Sequence, residues 1–162
     1  MRLSESARRL WAKSDRGREQ GAWHPLIAHL LDVAACAEAI LEREPPKTLE
    51  LYAHDLSLEP QQAKAWVCAL AGLHDIGKAS PAFQQKWLEG KERLWATGLT
   101  WSSDPTPPPD DLSHSIISEA VLPELLEARG WKYRAAQNVA AAVGEHHGFR
   151  ATRGDLDKAN NP

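Results

Sequence analysis

Ala63-Lys64-Ala65-Trp66-Val67-Cys68-Ala69-Leu70-Ala71-Gly72-Leu73-His74-Asp75-Ile76-Gly77-Lys78 is the stretch on which the reading of this chain turns. Pro60 suits a first helical position, where a missing N–H costs little. From there Ala63, Trp66, Val67, Leu70 and Ala71 recur at helical steps and define one apolar face. His74 lies four residues after Leu70 and seven after Val67, so the period aims it inward with Asp75 beside it. Gly77 suits a helix end. Ser80-Pro81 then restarts the chain with cap and first-turn chemistry, carrying Phe83 and Trp87.

The same period extends in both directions. Pro25 reads as the start of a helix with Leu26, Leu30, Val33, Ala37 and Ile40 inward, ended by Pro45-Pro46. Ser113 caps a helix with Ile116, Ile117, Val121, Leu125 and Leu126 inward, which Pro123 kinks or divides and Gly130 closes. Tyr133 to His147 predicts a further helix, with Ala136, Val139, Ala140 and Val143 on its face and Gly148 as its stop. Ser4 to Lys13 predicts a short helix, and Ser14 to Gly21 a loop. Residues 97–112, rich in Pro and Asp, predict a long loop. Leu49 to Leu58 is ambiguous, and Arg150 to Pro162 reads as a polar tail without periodicity. No strand pattern of useful length and no GxxxxGK[ST] phosphate loop occur, which argues against a parallel-sheet nucleotide fold. The expected fold class is all-α.

At 162 residues the chain is read as one domain, 1–162. Its 43% hydrophobic and 25% charged residues are those of a globular protein. A formal charge of −3 excludes nucleic-acid binding by bulk positive charge, though not a local basic groove. Two cysteines, Cys36 and Cys68, exclude a disulfide scaffold or Cys-rich zinc module; both sit in apolar helical stretches and read as small core residues. No apolar run reaches membrane-spanning length, and no signal-peptide core follows Met1, so a soluble, cytoplasmic domain is expected.

The unusual count is seven histidines. His29 follows Leu26 by three and borders the buried face of its helix. His146 and His147 flank the stripe led by Val143, and His114 sits in a first turn. A lone His on such a face is more often a satisfied core or cap residue. Four helices each bringing imidazole inward is a different matter, because clustered imidazoles need a cation or a complete set of hydrogen bonds. Asp75 adds a carboxylate able to bridge two metal ions, the arrangement that serves in-line phosphoryl displacement. The His-dominated shell suits Mn, Fe, Co, Ni or Zn better than Mg or Ca. Lys78, one turn after Asp75, is by spacing equally a solvated lysine at a helix end or a cation beside a substrate phosphate.

Leu73-His74-Asp75-Ile76-Gly77-Lys78, with a His upstream and His-His downstream, resembles the motif of the HD phosphohydrolase superfamily. Within it, four blocks together resemble the HD nuclease domain of the type I CRISPR-associated nuclease-helicase. They are Trp11-Ala12-Lys13-Ser14 with His24-Pro25-Leu26-Ile27-Ala28-His29-Leu30-Leu31-Asp32-Val33-Ala34; the HD string; Leu112-Ser113-His114-Ser115; and Glu145-His146-His147-Gly148. The likeness spans residues 8–150. It implies an HD-type helical bundle and a metal-dependent endo- or exonuclease. Such an enzyme would degrade single-stranded DNA with a helicase domain or subunit and an RNA-guided interference complex. It implies two divalent ions, one held by His29, His74 and Asp75, the other by Asp75, His114, His146 and His147. Asp75 and Lys78 would be catalytic, with Lys78 facing the scissile phosphate. His24, just before Pro25, is not expected to ligate, and His54 matches no motif. The family carries a further Asp on a later helix. After His147 this chain offers only Asp155 and Asp157, so it is read as truncated at the C-terminus, before the last helices and the helicase portion.

DNA contact must then be local. Arg150, Arg153 and Lys158 follow the His-His-Gly block, and Arg150 is the expected substrate-binding residue beside Lys78. Lys86, Lys91 and Arg93 follow the HD string, with Trp87, Trp95 and Trp101 near them as candidates for base stacking. The plainer reading has these charges solvated and these rings in the core. Two rival functions stand. Hydrolysis of a nucleotide or cyclic dinucleotide is weakened by Gly148-Phe149-Arg150-Ala151-Thr152, where a GYP signature is expected. The other rival is a non-catalytic metal-binding interaction module.

Overall fold

A computed structural model describes residues 2–15, 22–99 and 112–160. Among them the architecture is helical, as expected, with a two-stranded antiparallel sheet at one edge. In chain order the elements are α1 (Glu5–Arg9), β1 (Trp11–Ser14), β2 (Trp23–Pro25), α2 (Leu26–Leu41), α3 (Pro46–Leu56) and α4 (Pro60–Gly72). A 3-10 segment, Leu73–Ala79, leads to α5 (Pro81–Gln84) and α6 (Leu88–Trp95). Then come α7 (His114–Glu127), α8 (Tyr133–Gly144), a 3-10 turn (Glu145–His147) and α9 (Arg153–Asn160). No helix among the described residues is long and apolar enough to cross a membrane.

Two layers meet at the HD string. α2 packs on α4, and α7 packs on α8 and on the 3-10 segment that continues α4. Leu26 and Leu30 of α2 close over Ala12, with Ile76 and Ala79 against them. Ile116, Leu122 and Leu126 of α7 are buried, as are Ala136 and Ala140 of α8. The alanines let α8 approach α7 closely.

Several expectations are corrected. Ser4 to Lys13 is not one helix: α1 stops at Arg9, capped by Ser4, and Leu10 turns extended. Trp11 then enters a strand, because its main chain and indole are claimed by buried Gln84. Gln84 Oε1 accepts from Trp11 N–H at 3.1 Å, and the indole N–H donates to the Gln84 carbonyl at 3.1 Å. Gln84 Nε2 donates to the carbonyls of Trp11 and Lys78, at 2.9 and 2.6 Å. This one amide ties β1 to the end of the HD string. Pro25 ends β2 and caps α2 rather than starting it. Leu49 to Leu58 resolves into α3, which Pro46 opens.

Ile40, expected inward, is 59% exposed, because α4 runs along the other side of α2, where Lys64 pairs with Glu38 and Glu42. On α7 the buried line runs through Leu122, Pro123 and Leu126, leaving Val121 and Leu125 partly exposed. That helix passes through Pro123 as one segment. Cys36 is exposed and Cys68 half-buried, so neither is a core residue. The tail read as aperiodic holds α9, which packs on α7. Most of the expected 97–112 loop, Trp101 included, and most of the 14–21 loop lie outside the described residues.

Candidate metal centre

His74 and Asp75 sit at the point where α4 gives way to 3-10 geometry, with Asp75 at φ −101°, ψ 16°. A straight α-helix would send adjacent side chains about 100° apart. Here both converge on one point, where His74 Nε2 lies 3.2 Å from Asp75 Oδ2. Gly77 makes room for the opposing layer. Its N–H donates to Ser118 Oγ of α7 at 2.9 Å, and a Cβ there would run into the His114 carbonyl. The HD string and the first turn of α7 thus meet backbone to backbone, which brings His114 over Asp75. The 3-10 turn after α8 supplies His146 and His147, and Gly148 at φ +81° ends it.

Every expected ligand is brought together. Asp75, 3% exposed, divides its carboxylate between two histidine groups. Oδ2 lies 2.8 Å from His29 Nε2, 3.2 Å from His74 Nε2 and 2.6 Å from Lys78 Nζ. Oδ1 lies 3.0 Å from His114 Nε2 and 3.5 Å from His146 Nε2. The ligand atoms of His29, His74 and Asp75 fall within 4.8 Å of one another, and so do those of His114, His146 and His147.

The Nδ1–H of His74 donates to the Ala71 carbonyl at 2.9 Å, and that of His146 to the Val143 carbonyl at 2.8 Å. In their neutral forms both rings therefore present an Nε2 lone pair to the carboxylate. Two acceptors facing each other need a proton or a cation between them. His114 Nε2 is also only 3.0 Å from His147 Nε2, and it cannot donate to both that nitrogen and Asp75 with one proton. Asp75 Oδ1 is buried without a well-directed hydrogen bond. An orphaned anionic oxygen ringed by imidazole lone pairs fits a divalent cation of the nitrogen-preferring kind.

The electrostatics of Asp75, His29 and His146 agree. Burial would raise the Asp75 carboxyl, but the close contacts with His114, His74 and Lys78 overcome it and hold the group far below the usual carboxylate range. Burial lowers His29 and His146, favouring the neutral form that ligates. Contact with Asp75 raises His74 despite its burial.

The remaining candidates separate. Lys78 is not solvated: it is 9% exposed, with its ammonium on Asp75. Arg150 is 77% exposed and pairs with Glu145 at 3.4 Å. The Arg93 guanidinium lies 5.4 and 5.3 Å from the rings of Trp23 and Trp87, a structural cation–π cluster, whereas Trp95 is exposed. His24 pairs with Asp32 at 3.0 Å beside the centre, and His54 is exposed. Asp155 Oδ2 accepts from the Thr152 N–H and hydroxyl in a helix-start turn, so it serves α9. Two residues near the site were not singled out as site residues by sequence: Phe83 edge-on to His114 and Phe149 stacked on His147. Phe149 had a signal, its place directly after the His-His-Gly block.

A helical bundle that gathers five imidazoles and one shared carboxylate at the end of a core helix defines an HD-type domain. Comparison narrows this further: the profile described as "Cas3, HD domain" matches residues 11–162, and the chain belongs to that family. It is 46% identical over 98% of its length to the CRISPR-associated endonuclease/helicase Cas3 of Thermus thermophilus, covering 16% of that protein. It is 29% identical over 92% of its length to the Escherichia coli protein of the same name, covering 18%. The Thermus thermophilus Cas3 HD domain, solved in the presence of Ni2+, superposes with a TM-score of 0.68 at 41% identity, covering 97% of this chain and 55% of that one. The chain thus spans about one sixth of the curated relatives it matches.

Proposed function

We propose that this chain is a metal-dependent nuclease domain that cuts single-stranded DNA in type I CRISPR interference, in the cytoplasm, on DNA exposed by a helicase domain or subunit. The observation that carries the proposal is the division of the Asp75 carboxylate, with Oδ2 facing one histidine group and Oδ1 another. Two ions fit this division: one on His29, His74 and Asp75, the other on Asp75, His114, His146 and His147. Mn, Fe, Co or Ni suit five imidazoles better than Mg does. When bound, such a pair supplies a nucleophilic water at neutral pH and neutralises the phosphate oxygens of an in-line displacement.

The chain's own residues prepare the site. The Ala71 and Val143 carbonyls fix the tautomers of His74 and His146, so each presents Nε2 without reorganisation. Lys78 and the imidazoles keep Asp75 ionised in a buried setting, and Lys78 adds positive charge where phosphate charge grows. The names of the relatives support nuclease and helicase working together.

The test is cleavage of circular single-stranded DNA with Mn, Co, Ni, Fe(II) or Mg, or with EDTA, beside Asp75→Ala. Cutting is expected with the transition metals and is expected to vanish with EDTA and in the variant. Freshly metal-loaded protein that cuts with none of them overturns the proposal.

A further inference from the structure

The chain has two phenylalanines, and both lie against the histidines of the metal centre. Phe83 meets His114 edge-on, with centroids 5.7 Å apart. Phe149 lies parallel to His147, with centroids 6.4 Å apart and planes 12° apart. His114 and His147 are themselves 5.0 Å apart. The four rings therefore form a row of neighbours, Phe83–His114–His147–Phe149.

The two ends of the row differ. Phe83 is enclosed by Trp11 at 4.5 Å, Lys78 and Lys86, and serves as a wall. Phe149 is 47% exposed. The positive φ of Gly148 turns the chain directly after His147, so the next ring returns alongside it rather than entering the core. The following residue is Arg150, with its side chain 77% exposed. An apolar ring left half in water, parallel to a metal-centre imidazole and followed by an exposed cation, matches what an unpaired nucleotide offers: a π-face and a phosphate. A base within a duplex has both faces covered by its neighbours. In a chain of net charge −3, stacking also supplies affinity that bulk charge cannot.

We propose that Phe149 is a positioning residue for single-stranded DNA: a base beside the scissile phosphate stacks on its exposed face while Arg150 pairs with a neighbouring phosphate. This rests on the nuclease reading above.

The test uses Phe149→Ala and Phe149→Trp, with two labelled single-stranded oligonucleotides, one of mixed sequence and one carrying abasic sites. Binding is read by fluorescence anisotropy in EDTA, independently of cleavage. Cleavage of the mixed oligonucleotide by Mn-loaded protein then gives kcat and KM. F149A is expected to bind the mixed oligonucleotide about tenfold more weakly, with most of its loss in kcat/KM falling in KM. F149W should restore binding, and the abasic oligonucleotide should bind wild type and F149A alike. Equal binding of the mixed oligonucleotide by wild type and F149A overturns the proposal, as does an equal loss on the abasic strand. Loss of a metal ion from F149A in a Mn titration would show that Phe149 merely shields His147, and overturns it too. Phe149-dependent binding without cutting in any metal would instead fail the nuclease reading, and with it the positioning role, while leaving the stacking contact to single-stranded DNA.

Discussion

Gly77→Ala should uncouple the two halves of the metal centre. A Cβ at this position would lie 2.6 Å from the Ser118 main-chain nitrogen and overlap the His114 carbonyl. Ordinary contact is about 3.5–4 Å, so α7 must retreat by about 1 Å. Overpacking of this kind costs about 1–3 kcal/mol. Losing the bond from the buried Gly77 N–H to Ser118 Oγ adds about 1–3 kcal/mol. A total of roughly 2–6 kcal/mol in a domain of this size lowers Tm by about 4–24 °C. The atoms struck belong to the first turn of α7, so the retreat carries His114 away from Asp75 Oδ1, now 3.0 Å distant. His29 and His74 stand on the other side of Asp75 and keep their places. Melting followed by circular dichroism in EDTA and Mn titration by calorimetry read the two effects. The expectation is a lower Tm with one ion weakened and one retained. Gly130→Ala is the control: its φ is +88° but nothing lies within 4 Å, so only backbone strain of about 1–2 kcal/mol should appear, with metal binding intact. A G77A protein that melts within about 2 °C of wild type and binds two ions unchanged would refute the reasoning.

Other outcomes follow from the same geometry. His29→Ala should abolish the metal-induced rise in Tm from the first ligand set. His24→Ala should leave that rise intact, because the half-exposed His24–Asp32 pair contributes about 0–1 kcal/mol and no ligand; equal losses in both would reassign the first ligand. In EDTA, the stability difference between wild type and Asp75→Asn should be widest between about pH 4 and 6.5. The Asp75 carboxyl is depressed on folding, so its contribution is present above the unfolded value near 3.9 and is lost as pH falls below it. His74 is raised by contact with Asp75, so its contribution is present below about 6.5 and is lost as pH rises through its folded value. Burial lowers His29 and His146, which costs stability as pH falls below about 6.5; Asp75 offsets part of that lowering, so the cost is larger in Asp75→Asn and widens the difference in the same direction. A difference that stays flat from pH 3 to 8 contradicts these assignments. With metal present, the rise in Tm should shrink as pH drops from 8 to 5.5, since protons compete for the imidazoles.

The convergence of histidines was legible because helical periodicity reports direction. His29 three after Leu26, His74 four after Leu70, and the His146-His147 pair after Val143 announce inward imidazoles by spacing alone; the same periodicity announces an all-α fold, and the motif blocks resemble those of an HD domain. What spacing could not carry was anything set by a partner distant in sequence. Trp11 leaves helix for strand because Gln84, 73 residues on, claims its main chain. Lys78 turns inward because Asp75 waits one 3-10 turn away, not at the α-helical angle its spacing suggested. Cys36 and Ile40 are exposed because they lie across α2 from the side that α4 covers, where Lys64 reaches Glu38 and Glu42. The division of Asp75 between two histidine groups is likewise a tertiary fact. Periodicity points each side chain toward a core, and only the close approach of α7 at Gly77 decides which atoms meet there.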